Sequence, residues 1–192
     1  MNTSRLEAFS DGVLAVVITI MVLDLKVPQQ EGLAALRSLM PVLLTYVLSF
    51  LFIGIYWSNH HHMLHATRRA TGGVLWANLH LLFWLSLFPF VTSWVGQNPL
   101  AVLPTALYGV ILAMSAVAYA ILARTIIAGE GPDSLLARAI GNDRKGTISL
   151  LVYVVSIPIA FLKPWISQGL FVVVAFLWLV PDRRIERAVP RD

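Results

Sequence analysis

The chain of 192 residues contains no cysteine, which excludes disulfides, thiolate metal sites and a thiol nucleophile and leaves the redox compartment open. Charge is scarce as well. Charged residues make up 12% against 58% hydrophobic, and the mean hydropathy is +0.77, values that exclude an ordinary soluble domain. The chain also lacks a phosphate-binding glycine loop, a serine nucleophile with a base, an internal repeat and a separate soluble domain, so an enzyme is the weakest class. A formal charge of +4, small and scattered, bears on membrane topology and not on nucleic-acid binding.

What remains in abundance is apolar sequence of membrane length. The chain reads as an all-α membrane protein and a single domain over 1–192, with six transmembrane helices at about 5–26, 39–65, 74–95, 103–127, 147–162 and 166–180. Pro132 is expected to start one short interfacial helix through Arg138 in the polar connection between the fourth and fifth spans. Pro89 and Pro158 stand where each would break or kink a span. Placing the N-terminus inside puts eleven of the 14 basic residues on the cytoplasmic side, including Arg5, Arg68, Arg69 and the tail arginines. Only Lys26, Arg37 and Lys163 are then outside. Both termini are therefore expected in the cytoplasm, and the first span, preceded by acidic residues, is expected to be retained and not cleaved as a signal peptide.

The first span organises the rest. Ser4 and Glu7 have the spacing of a capping box, and the uncharged run from Gly12 to Leu23 covers only about 18 Å of a hydrocarbon layer about 30 Å thick. Arg5, Ser10 and Asp11 are thus expected at the membrane boundary, where ionisable groups need partners. At about 100° per residue Gly12, Val16, Thr19, Ile20 and Leu23 share one stripe, with Glu7, Asp11 and Ile18 on the other side. Periodicity alone reads that stripe first as a helix-packing seam.

The second span brings Tyr56, Trp57, Asn59, His60, His61, His62 and His65 to the same depth. A polar network joining the two helix ends is expected, with Trp57, His61 and His65 on the contacting face, and Asn78 and His80 within reach from the third span. His61 and His65 have the spacing of a one-turn metal site, but the glutamate that zinc hydrolases place after the first histidine is missing. No metal and no cofactor are expected. The spans also lack the mid-membrane charge of a coupled transporter, whereas a passive pore formed by several subunits needs none.

Arg5, Phe9-Ser10-Asp11-Gly12, the Ala15–Thr19 run and Leu23-Asp24, together with Tyr56-Trp57-Ser58-Asn59-His60-His61, resemble the first two helices of the transmembrane-protein-175 family of potassium channels. The usual potassium-channel filter, Thr-Val-Gly-Tyr-Gly, is absent here. The resemblance implies a prokaryotic homotetramer in the cell (inner) membrane, with four first helices around a central pore and membrane lipid outside. It implies Val16, Ile20 and Leu23 as apolar constrictions, Thr19 as the hydroxyl position, and a structural network of Arg5, Phe9, Ser10 and Asp11 with Trp57, Asn59 and His61. Asp24 and Gly12 would mark the pore mouths, and Asp11 is expected to be tied to Arg5. Val16, where the family often has Ile or Leu, would widen the first constriction and weaken potassium selection over sodium.

On this reading apolar rings gate the pore by dewetting and selectivity for potassium is modest. Two other readings stay open: a proton channel in which the imidazoles relay protons, and a non-conducting scaffold or sensor whose stripe is only an oligomer seam.

Overall fold

The computed structural model of the chain describes residues 3–28, 32–141 and 143–179, and every regular element among them is a helix. In chain order these are α1 (Thr3–Leu23), α2 (Leu33–His65), α3 (Gly72–Ser86), α4 (Phe88–Gln97), α5 (Val102–Glu130), α6 (Leu135–Ile140), α7 (Arg144–Leu162) and α8 (Pro164–Leu179). Five stretches, Thr3–Leu23, Leu33–His65, Gly72–Gln97, Val102–Glu130 and Arg144–Leu162, are long and apolar enough to cross a membrane. Pro164–Leu179 is apolar but shorter. This is a membrane protein. The charged tail at 180–192, counted above as cytoplasmic, lies outside the described residues.

Local chemistry sets where the helices stop. α1 runs over Thr3–Leu23, and its Glu7 side chain turns to α2, where it pairs with His61. α2, at 33 residues, is about 50 Å long and starts six residues before the expected span. The expected third span is two rods. α3 is capped by Thr71, whose hydroxyl accepts from the Val74 N–H, and it ends at Ser86, because Pro89 has no N–H to offer the Leu85 carbonyl. The chain restarts after Leu87 as α4, with Pro89 in its first turn. Pro158 by contrast sits inside α7 without breaking it. The interfacial helix forms, but Ser134 starts it and not Pro132: the Ser134 hydroxyl accepts from the Ala137 N–H at 3.2 Å.

α5 is the hub, packing against α3, α4, α7 and α8, while α1 packs on α2, α3 and α4. Where α2, α4, α5, α7 and α8 meet, Phe52, Phe88, Tyr108, Tyr153 and Phe171 form a run of ring contacts with centroids 5.4–6.5 Å apart. α2 and α4 cross at Gly96, where an added Cβ would lie 2.9 Å from Val42 Cα. Small residues let membrane helices approach this closely, so Gly96→Leu should cost about 1–3 kcal/mol through overpacking. The expected result is a clear fall in the thermal unfolding midpoint of the detergent-solubilised protein. Gly12→Leu, facing open space, should leave it nearly unchanged.

Candidate functional site

The two faces of α1 differ in what covers them. Leu6, Ser10, Leu14, Val17 and Met21 recur every three or four residues and are buried against α2, α3 and α4. Across the helix, Val16 is 54%, Ile20 46% and Leu23 80% exposed, and Gly12, Thr19 and Asp24 are exposed beside them. The Thr19 hydroxyl donates to the Val16 carbonyl at 3.0 Å, which leaves its oxygen lone pairs on the same open face. The stripe singled out in the sequence is thus uncovered within one protomer, a continuous apolar surface broken only by a glycine and a hydroxyl.

Three sets of polar contacts fix the rotation that presents this stripe. The first joins α1 to α2 as an antiparallel ladder. Trp57 Nε1–H donates to Asp11 Oδ1 at 3.0 Å, and one turn away His61 Nδ1 pairs with Glu7 Oε1 at 2.6 Å. The His61 ring stacks between Trp57 and His65, with centroids 6.3 and 6.0 Å away. This ladder is partly open to solvent, so each rung is weak.

The second set is buried. Asn78 Nδ2 donates to Ser10 Oγ at 3.0 Å, and the Ser10 hydroxyl donates to the Leu6 carbonyl at 2.8 Å. Asn78 Oδ1 lies 2.6 Å from His60 Nε2. An amide oxygen only accepts, so the proton of this bond sits on His60 Nε2. Asn78 thereby ties α1, α2 and α3 together at a level where Ser10, Asn78 and His60 are all buried.

The third set lies near the other end of α1. The Thr92 hydroxyl donates to Ser49 Oγ at 2.6 Å, and Ser49 Oγ is 2.7 Å from the Tyr108 hydroxyl. Thr92 Oγ1 also sits 3.9 Å from Met21 Sδ on the buried face of α1. A chain of hydroxyls therefore links α2, α4 and α5 directly behind the part of α1 that carries Ile20 and Leu23.

Several expected members fall elsewhere. Arg5 and Phe9 lie on the exposed face of α1 in line with Val16 and Leu23, so Arg5 is not tied to Asp11, which accepts from Trp57 instead. The cause is helical geometry, since positions six apart are about 120° apart round the helix. The Asn59 amide turns back to its own helix, donating to the Ile55 carbonyl at 2.8 Å, and His80 accepts from Trp84 Nε1 within α3. Among the described residues no group of three or more His, Asp or Glu is placed to hold a metal ion. Asn78 does join the network expected at the two helix ends, through His60 and Ser10, whereas the Ser49–Thr92–Tyr108 chain is not anticipated by the sequence. Isolated hydroxyls inside apolar runs were the available signal, because a polar group in hydrocarbon seeks a partner on a neighbouring helix.

The sequence profile described as "Endosomal/lysosomal potassium channel TMEM175" matches residues 5–89, which carry α1, α2, α3 and the start of α4. A potassium channel of Chryseobacterium sp. is 50% identical over all 192 residues, covering the whole of both chains. The chain belongs to the TMEM175 family. A potassium channel of Chamaesiphon minutus is 32% identical over 91% of this chain and 92% of its own length. The crystal structure of a lysosomal potassium-selective TMEM175 homologue from the same organism superposes with a TM-score of 0.80 at 30% identity, over 94% of this chain and 97% of that one. The human TMEM175 protein, described as an endosomal/lysosomal proton channel, is 34% identical over 56% of this chain and 22% of its own length.

The three contact sets predict an order of stability effects. Asn78→Leu leaves the buried His60 Nε2–H and Ser10 Oγ without their partner, which should cost about 1–3 kcal/mol for the orphaned donor. Trp57→Phe removes an exposed bond and should cost well under about 1 kcal/mol. Thermal unfolding in detergent should place Asn78→Leu lowest, and a lower midpoint for Trp57→Phe would reverse the ranking.

Proposed function

We propose that this protein is a potassium-permeable cation channel, a homotetramer of six-span subunits in which four α1 helices surround the conduction path. The observation that carries the reading is the uncovered face of α1. A single protomer cannot enclose Val16, Ile20 and Leu23, whereas a closed ring of copies turns the same stripe inward. The potassium channels of Chryseobacterium sp. and Chamaesiphon minutus, similar over nearly the whole chain, support it.

The chemistry follows from the side chains on the stripe. Rings of Val16, Ile20 or Leu23 offer no oxygen to a dehydrated cation, so a narrow ring expels water and blocks ions, and widening admits a hydrated or partly hydrated one. Rings of Thr19 oxygen and of Asp24 carboxylates supply polar lining beside these constrictions, so sodium follows potassium at reduced rate. By the distribution of basic residues, Asp24 faces outward and both termini face the cytoplasm of a cell whose inner membrane holds the channel. Conduction across such a pore involves no covalent chemistry, and the protein is not an enzyme. For the proton alternative the imidazoles give poor support: they gather at one end of the bundle, and the Asn78 amide, which carries no transferable proton, follows His60 in its hydrogen-bonded chain.

Ion flux in liposomes tests the reading. Wild type should pass potassium faster than sodium, and Ile20→Asn and Leu23→Asn should raise the flux or shift the ion ratio by about tenfold through wetting of the constriction. Tetrameric protein that is silent in all three forms would make the stripe an oligomer seam and the protein a scaffold.

A further inference from the structure

A cavity of about 420 Å³ opens between α2, α5 and α8, on the side of α2 that turns away from α1. Its walls are apolar over most of their length, formed by residues such as Leu44, Leu48, Leu51, Val172 and Phe176. The polar side chains collect at one end. There Gln168 Nε2 donates to Thr105 Oγ1 at 3.0 Å, with Thr45 on the opposite wall. The Tyr108 ring also lines the space, but its hydroxyl turns out of it to Ser49.

The depth of that polar end follows from the packing. Ser49 and Thr92 sit at the level of Met21. Thr45, one helical turn before Ser49 on the antiparallel α2, therefore stands level with Asp24, the charge that closes the apolar run of α1. The cavity thus has its polar end at a membrane boundary, and from there it follows α8 from Gln168 to Leu179, a rise of about 16 Å, or about half of a hydrocarbon layer about 30 Å thick. A continuous apolar slot of that length, with its polar side chains gathered at the membrane boundary, has the pattern of a single hydrocarbon chain hung from a polar linkage.

The geometry points to a binding site for one acyl chain of a phospholipid from the leaflet on the Asp24 side. The chain lies along Leu48, Leu51 and Phe176, and the ester linkage stops at Gln168, whose amide has a second N–H suited to an ester carbonyl. The site is independent of whether the protein conducts.

The test uses the full chain in vesicles containing phosphatidylcholine with a photoreactive diazirine midway along one acyl chain. After illumination the adducts are mapped by peptide mass spectrometry. They should concentrate on 44–51 of α2 and 169–179 of α8. Gly169→Phe projects a ring into the slot from a position where an added Cβ meets nothing within 4 Å, and it should abolish those adducts, as should Val172→Trp. Val155→Phe, on the exposed face of α7, should leave them intact. Adducts spread evenly over the exposed helix faces and unchanged by both filling variants would overturn the site. So would efficient intersubunit crosslinking from a benzophenone-bearing side chain placed at position 172, because a second copy would then occupy the slot.

Discussion

Everything in this molecule depends on the angle at which α1 is held. In lipid, apolar surface gains nothing by leaving the solvent for a neighbouring helix, so burial alone does not choose which side of α1 faces inward. Polar contacts and close packing make the choice. Asn78 grips Ser10 at one level, and Met21 rests by the Ser49–Thr92–Tyr108 hydroxyls at another. Interhelical bonds of this kind are worth about 0.6 kcal/mol each on average in membranes, with upper values near 1.7. Several of them acting on one face are enough to fix a rotation, and the opposite face is thereby left uncovered in the protomer.

The half-open ladder of Glu7–His61 and Asp11–Trp57 has a different character. Its members are reachable by water, so it adds little stability, yet it sets the axial register between α1 and α2: a shift of one turn would pair Asp11 with His61 and strand Trp57. The buried contacts choose the face and the ladder chooses the height. Because those two jobs fall to different residues, the exposed stripe can vary in side-chain size without disturbing how the helix is mounted.

Much of this is legible in the sequence. Hydropathy located the apolar segments, and the 3.6-residue period separated the Val16–Ile20–Leu23 face from the Glu7–Asp11 face, because both signals are local to one helix. Three features were not legible, each for a physical reason. The break after Ser86 required knowing that Pro89 would end one helix while Pro158 would be absorbed within another, a choice set by neighbouring packing. Arg5, expected in the network from its place at the membrane boundary and by resemblance, stands on the exposed face of the folded protomer. The Ser49–Thr92–Tyr108 chain joins residues 43 and 59 positions apart, and nothing short of the three-dimensional packing brings such partners together.

The division of one span into α3 and α4 has a mechanical side. Asn78, on α3, holds the Ser10 level of α1, while Thr92, on α4, backs the Met21 level. A single straight rod would carry any tilt imposed at one level to the other, like a lever. With the Pro89 N–H missing from the backbone ladder between them, α3 and α4 act as separate brackets on a shared wall, each gripping its own level of α1.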